Sequence, residues 1–473
     1  MNSVKIAKER IDRALNPRTV AVVGDKKASG YMWLRSMSTF QGDVFSVQID
    51  PNDVPGIEDM GIPNYSSLMD IPKPVDYVVI AVPRSVAGFV LKDCVSKEVA
   101  GVGMFTAGFA ETGTPEGLEA QEAVTKMARD ADLVLLGPNC MGLYNPAIGV
   151  RFSRDLPAGQ GGPVAFVSQS GGHAVSFSAA AGANGICINK VVSFGNGVVL
   201  ESTDYLEYFA QDDQTEFIGM YIEGVQDGRR FFELLREITP KKPVVIWKGG
   251  QTEEGKRATS SHTGSLAESM DTWDVLIRQC GAIRVDSLTE MTDVLKALVS
   301  LPRSTGDGVG LIGGTGGQSV SMSDAFAKSG LRVPMFSQDS LDKLGEFFRV
   351  IGASYLNPVD IGGMNRDMTE TCMSILSSDP NVDVVAMQMS PSGFARDPEQ
   401  IEGQIAALVS ARDDTQKPVV SMLFSPDPYG DGDDLKKLDL MLQEARIPSY
   451  PTYERAALAI KKLVDYFRFH EGA

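Results

Sequence analysis

At 473 residues, with 43% hydrophobic and 22% charged residues, the chain exceeds the roughly 250 to 300 residues that one hydrophobic core organises, and it has the composition of a protein folded in about three domains. A formal net charge of −17 argues against a nucleic-acid partner, whose phosphates demand clustered Lys and Arg, and no run of about 18 apolar residues marks a membrane span. Cys94, Cys140, Cys187, Cys280 and Cys372 stand far apart without CxxC spacing, so neither a disulfide framework nor a metal site is expected, and with no signal-like apolar segment in MNSVKIAKERIDRALNP the chain reads as cytoplasmic.

Short β-branched runs alternate with turns and amphipathic stretches along the whole chain, the βα pattern of parallel sheets. In residues 1–150, TVAVVG (19–24), VFSVQI (44–49), DYVVIAV (76–82), AGVGMFT (100–106) and DLVLLG (132–137) read as buried strands of a Rossmann-like unit. Its first turn, GDKKASGY (24–31), departs from GxGxxG, and the acidic residue of the dinucleotide pattern is missing after the second strand, so a nicotinamide cofactor is not indicated. Pro83 with Arg84, the segment Ala107 to Phe109, and GPNCMG (137–142) follow later strands, as ligand contacts or as plain turn formers. Residues 160–302 carry PVAFVS (163–168), KVVSF (190–194), EFIGMYI (216–222) and PVVIWK (243–248), a flavodoxin-like set. After the Pro- and Gly-containing linker LPRSTGDG, residues 307–473 present VGLIGG (309–314), VDVVAMQM (382–389) and PVVSMLF (418–424), a second doubly wound unit.

Only His173, His262 and His470 are available for histidine chemistry. His262 lies in SSHTGS, within a stretch from Gly249 to Ser269 of small and polar residues that shows no helical or strand periodicity and follows a strand. Such a stretch is either a solvated loop with an incidental histidine or a mobile carrier of a nucleophilic imidazole. SQSGG (168–172) joins a strand to a helix start, where Gly171 and Gly172 either shape a tight turn or let backbone N–H groups approach an anion. His173, in the first turn of that helix, reads as structural. Glu223 ends the strand EFIGMYI at the same sheet edge, either as a solvated loop carboxylate or as the partner that fixes an imidazole.

Taken together, these segments resemble the NDP-forming acyl-CoA synthetase family, related to the α subunit of succinyl-CoA synthetase, over nearly the whole chain. TVAVVG with IDPN (49–52), VVIAVP (78–83), FTAGFAETG (105–113) and GPNCMGLYNP (137–146) look like its CoA-binding domain. SQSGG, SFGNG (193–197), YIEGVQDGR (221–229), the string through SHTGSLA (261–267) and IRVDSLTE (283–290) look like its second domain, and NPVDIGG (357–363) like a signature of its third. The resemblance implies an α/β fold: a Rossmann-like CoA-binding domain followed by two flavodoxin-like domains. It implies that His262 is transiently phosphorylated, that Glu223 hydrogen-bonds it, and that Ser170, Gly171 and Gly172 cradle its phosphate. CoA is expected along Gly24, Pro51, Val82, Pro83, Pro138, Asn139 and Cys140, and the acyl substrate near Gly195 and Asn196.

The implied reaction joins a small carboxylic acid to CoA at the expense of an NTP, through acyl-phosphate and phosphohistidine intermediates. None of the Gly-rich turns at Gly24, Gly171 and Gly313 has the GxxxxGK[ST] arrangement, and no ATP-grasp domain is visible in the 473 residues. ATP or GTP with Mg2+ is therefore expected on a separate ATP-grasp β subunit, in an α2β2 assembly. Asp25, Lys26 and Lys27 stand where the family usually places small residues. Two other classes compete: an acyl- or carbamoyl-transferring relative without phosphohistidine, against which SHTGSLA speaks, and a non-catalytic CoA or acyl-CoA sensor.

Overall fold

The computed structural model describes residues 6–263, 269–347, 355–360, 366–392, 394 and 398–472. The chain forms two compact units, Met1–Met291 and Thr292–Ala473, and the named strands among the described residues lie in three sheets.

The first sheet of unit 1 comprises β1 (Thr19–Val23), β2 (Asp43–Val47), β3 (Asn64–Tyr65), β4 (Tyr77–Ile80), β5 (Gly101–Met104) and β6 (Val134–Leu136), in the order β3-β2-β1-β4-β5-β6. Every pairing is parallel. The apolar runs seen in the sequence are β1, β2, β4, β5 and β6, because a parallel sheet covered by helices on both faces buries both sides of its strands; every residue of β1, β4, β5 and β6 is buried. The strand order reverses between β1 and β4, and in open α/β sheets the crevice at that reversal receives the ligand. Gly24 ends β1, and Val82 and Pro83 follow β4, so three of the expected CoA contacts flank this crevice.

The second sheet of unit 1 contains β7 (Gly142–Tyr144), β8 (Val164–Ser168), β9 (Ile188–Ser193), β10 (Phe217–Ile222), β11 (Val244–Lys248) and β12 (Ile283–Val285), ordered β12-β11-β10-β8-β9-β7. Leaving β7 aside, the parallel strands follow the flavodoxin-like order, with a reversal between β8 and β10. β7, inside the GPNCMGLYNP segment, pairs antiparallel with β9 and closes the edge. The sequence reading places no strand there.

In unit 2, β13 (Val309–Ile312), β14 (Val384–Met389), β15 (Val419–Leu423) and β16 (Ser449–Tyr450) form a parallel sheet in chain order. A parallel bridge from Ile312 to Val359 lies on the other side of β13, which gives the same flavodoxin-like order. Asn357 secures that edge: its amide donates to the Val309 carbonyl (2.8 Å) and the Pro334 carbonyl (2.9 Å) and accepts from the Leu311 N–H (2.9 Å). The NPVDIGG segment is thus structural at its Asn; its Ile361, Gly362 and Gly363 lie outside the described residues. A salt bridge between Arg455 and Asp293 (2.6 and 2.7 Å) ties the helix Tyr453–Glu471 to the start of the unit. Among the described residues, no helix is long and apolar enough to cross a membrane.

One expectation is overturned. Residues Glu253–Thr263 form a helix inside the stretch read as lacking regular structure. The hydroxyl of Thr252 accepts the Gly255 N–H at 3.1 Å, Glu253 and Glu254 occupy the first turn, and Lys256 pairs with Glu253 at 2.6 Å. Side-chain capping and acids at the positive end of the helix dipole supply the start signal that apolar periodicity does not. His262 falls in the last turn; its side chain, and residues 264–267 of the SHTGSLA string, lie outside the described residues.

Candidate functional site

The reversal between β8 and β10 assembles the proposed phosphate site from main-chain geometry. Strand β8 ends at Ser168, and Ser170 caps the helix Gly171–Ala183, its Oγ accepting the His173 N–H at 3.3 Å. The Ser168 hydroxyl braces the turn by donating to the Ser170 carbonyl (2.7 Å) and accepting the Ser170 N–H (3.2 Å). The first amides of a helix have no intrahelical carbonyl to bind, and the dipole makes that end positive. At Gly172 an added Cβ would meet only Ser170 Oγ among the described residues, at 3.9 Å, whereas at Gly171 it would stand 3.0 Å from Met141 Cγ, so the approach is open at Gly172.

Beside this turn, Glu223 follows β10 and is buried, with 5% of its surface exposed. Its backbone N–H donates to Gln169 Oε1 at 2.8 Å, and Lys248 Nζ donates to its carbonyl at 2.7 Å and to that of Gly249 at 2.6 Å. Its carboxylate accepts the Tyr221 hydroxyl at Oε1 (3.2 Å), while Oε2 is buried with no hydrogen-bond partner among the described residues. A buried carboxylate oxygen left unpaired is costly, and an incoming N–H would satisfy it. His173 packs its ring 4.3 Å from that of Tyr221 and 4.4 Å from that of Trp247, and burial holds its pKa below the usual imidazole value. It is therefore a neutral member of an aromatic wall, in keeping with its structural reading. The helix Glu253–Thr263 packs against the turn Ala110–Thr112, which follows β5.

The expected CoA contacts fall into two groups. Gly24 (φ +85°) abuts Val82: a Cβ there would stand 2.3 Å from Val82 Cγ1. Pro51 and Pro83 are exposed, and Pro83 directly precedes the helix Arg84–Ser96. The turn after Gly24 is shaped from within by Asp25, whose carboxylate accepts from Lys26 N–H (3.0 Å), Ser29 Oγ (3.0 Å) and Leu34 N–H (2.9 Å). Burial nevertheless raises its pKa against the hydrogen bonds that lower it. Lys26 and Lys27 are exposed. The second group, Pro138, Asn139 and Cys140, lies after β6. Cys140 is buried with Sγ 3.6 Å from the Met104 carbonyl, and burial pushes its thiol up to about 12, so only its backbone can face a ligand.

Gly195 and Asn196 serve first as a joint. Gly195 (φ +53°) sits against the Pro138 and Asn139 carbonyls, and the Asn196 N–H donates to the Pro138 carbonyl at 3.1 Å. The Asn196 amide donates to Glu111 Oε2 (2.7 Å) and Gln121 Oε1 (2.9 Å), while Glu111 Oε1 accepts the Gly108 and Phe109 N–H groups. Burial works to raise the Glu111 pKa, but the bonds from Asn196, Gly108 and Phe109 outweigh it and hold the carboxyl below the usual range. A cavity of about 570 Å³ opens beside Asn196, lined among others by Thr125, Arg129, Val198 and Gln226. Sequence reasoning overlooked Tyr221, Lys248, Glu111 and Gln121. The one visible signal is Lys248, a cation at the end of an otherwise apolar strand run.

Two family descriptions match this architecture: a CoA binding domain over residues 18–146 and a succinyl-CoA ligase-like flavodoxin domain over residues 161–298. The pair defines a CoA ligase scaffold of the succinyl-CoA ligase type. The chain is 32% identical over 463 residues to the α subunit of ADP-forming acetate–CoA ligase II of Pyrococcus furiosus, covering 96% of this chain and 97% of that one. It is 31% identical over 463 residues to ADP-forming acetate–CoA ligase I of Archaeoglobus fulgidus, where it spans 96% of itself but 64% of the relative. A solved acetyl-coenzyme A synthetase 1 of Korarchaeum cryptofilum, in complex with phosphate and ADP, superposes with a TM-score of 0.83 at 28% identity over 99% of this chain and 98% of that one. The chain belongs to the ADP-forming acyl-CoA ligase family of acid–thiol ligases, as a counterpart of its α subunit.

Proposed function

We propose that this chain is the CoA-binding, phosphohistidine-carrying α subunit of an NDP-forming acid:CoA ligase, working with a separate ATP-grasp β subunit in an α2β2 assembly. The observation that carries this reading is the buried Glu223 carboxylate, with one oxygen committed and the other without a partner among the described residues, next to the helix start at Ser170–Gly172. In the synthetic direction, an imidazole nitrogen of His262 attacks the γ-phosphorus of the NTP and NDP leaves. Glu223 takes a hydrogen bond from the other ring nitrogen and stabilises the cation that forms. A carboxylate oxygen of the acid then attacks that phosphorus, the N–P bond breaks with its electron pair returning to the imidazole, and acyl phosphate results. The CoA thiol sulfur attacks the acyl carbon, inorganic phosphate leaves, and the thiol proton departs with it. The helix-start amides at Gly171 and Gly172 hold the phosphoryl oxygens throughout.

The same reading assigns CoA to the crevice at Gly24, Val82 and Pro83 and to the loop at Pro138–Cys140. It places the acid near Gly195 and Asn196, and divides the chain into domains 1–150, 160–302 and 307–473. Mg2+ and the nucleotide belong to the partner. Cytoplasmic placement accords with the five cysteines, all of which are free thiols.

Two experiments test it. The isolated chain should take no label from γ-labelled ATP or GTP and should become labelled once an ATP-grasp partner is added; efficient labelling of the chain alone would reveal a nucleotide site and end the two-subunit reading. Glu223→Gln keeps a hydrogen-bonding side chain but removes the charge, so phosphorylation and turnover should fall by about 10- to 100-fold while CoA affinity holds. A variant with the wild-type rate and phosphohistidine lifetime would remove Glu223 from the mechanism.

A further inference from the structure

We propose that Tyr221 is a positioning residue for the phosphorylated histidine, acting by fixing the rotamer of Glu223; the inference rests on the phosphohistidine reading above. Tyr221 lies near the end of β10 and Glu223 in the bend that directly follows it. The Tyr221 hydroxyl donates to Glu223 Oε1 at 3.2 Å. Burial first, and then the Glu223 carboxylate, push the phenol pKa up, so the hydroxyl stays protonated and remains a donor. With Oε1 held, Oε2 is the acceptor left for an imidazole N–H, and it is buried with no partner among the described residues.

The ring that delivers this hydroxyl is itself immobilised. It lies 4.3 Å from His173 and 4.7 Å from Trp247, the latter in edge-to-face contact, an arrangement that stabilises aromatic pairs beyond their buried area. The backbone leaves the necessary room at Gly249, where a Cβ would stand 2.6 Å from the Tyr221 hydroxyl and 3.1 Å from Glu223 Cγ. A terminal carboxylate torsion is broad and soft. Without the phenol, Glu223 rotates more freely and presents no fixed acceptor.

The test uses the full-length chain with labelled inorganic phosphate and acetyl-CoA. Phosphate attacks the acetyl carbon, CoA leaves, and the resulting acetyl phosphate transfers its phosphoryl group to His262, releasing acetate. Tyr221→Phe should label about tenfold more slowly, with CoA affinity and melting temperature close to wild type. The decisive arm is the double variant: Tyr221→Phe added to Glu223→Gln should cause no further loss, because the phenol acts only through the carboxylate. Losses that multiply in the double variant, or a Tyr221→Phe protein labelled at the wild-type rate, would overturn the role of Tyr221 alone. A wild-type chain that takes no label on His262 would instead overturn the phosphohistidine reading, and Tyr221's role with it.

Discussion

Replacing His262 by alanine is expected to abolish acyl-CoA formation, lowering turnover of the enzyme reconstituted with its nucleotide-binding partner by at least about a thousandfold, since removing a nucleophile eliminates the covalent route. The fold should survive. His262 sits in the last turn of the helix Glu253–Thr263, and alanine is a better helix former than histidine at such a position by about half a kcal/mol. CoA affinity, which the reading places in the Gly24 crevice and the Pro138 loop, should be unchanged. Two measurements decide the matter: the rate of acyl-CoA formation, and the loss of acid-labile label from the protein. Activity within a few-fold of wild type would show that phosphoryl transfer does not pass through this histidine.

Gly195→Ala should damage both stability and activity, for reasons internal to unit 1. The residue has φ +53°, and a Cβ there would stand 2.3 Å from the Asn139 carbonyl oxygen and 2.4 Å from that of Pro138. Both obstacles are backbone, so relief requires the Pro138–Cys140 loop or the Gly195 loop to move. The positive φ alone costs a non-glycine residue about 1 kcal/mol, and the displacement adds to it, for a total near 2 to 3 kcal/mol. Movement would also pull Asn196 from Pro138 and from Glu111. The expected outcome is a melting temperature lower by several degrees and a CoA-dependent rate lower by about tenfold or more. A variant that melts within a degree of wild type and turns over normally would show that the close approach is relieved without consequence.

Much of the scaffold was legible in the sequence because covered parallel sheets demand apolar strands: the runs at 19–23, 77–80, 164–168 and 419–423 are strands whose residues are all buried. Strands β3 and β16, two residues each, and β7, three residues beginning at Gly142, are too short to carry a pattern. The helix Glu253–Thr263 was missed because residues 253–259 offer one apolar side chain, the exposed Ala258, and only Thr259 among them is buried. At the site, Glu223 was visible as a carboxylate at the end of an apolar run. Tyr221 was not, because inside that run it reads as core. The Asn196 joint was beyond reach for another reason: its partners Glu111 and Gln121 lie 85 and 75 positions away, and single-sequence patterns carry no information about pairings at that separation.

Strand β7 bears on how unit 1 can be divided or recombined. It precedes β8 in the chain by about one loop, yet its partner is β9, with Gly142 opposite Ser193 and Tyr144 opposite Val191. The first family match ends at residue 146 and the second begins at 161, so β7 travels with the CoA-binding segment while serving as the border strand of the other sheet. Severing the chain between those matches would strip β9 of its outer neighbour and bare the backbone groups of a strand whose residues are all buried, a template for self-association. The modular unit for any exchange between relatives is consequently not the second sheet as numbered along the chain, but that sheet together with Gly142–Tyr144.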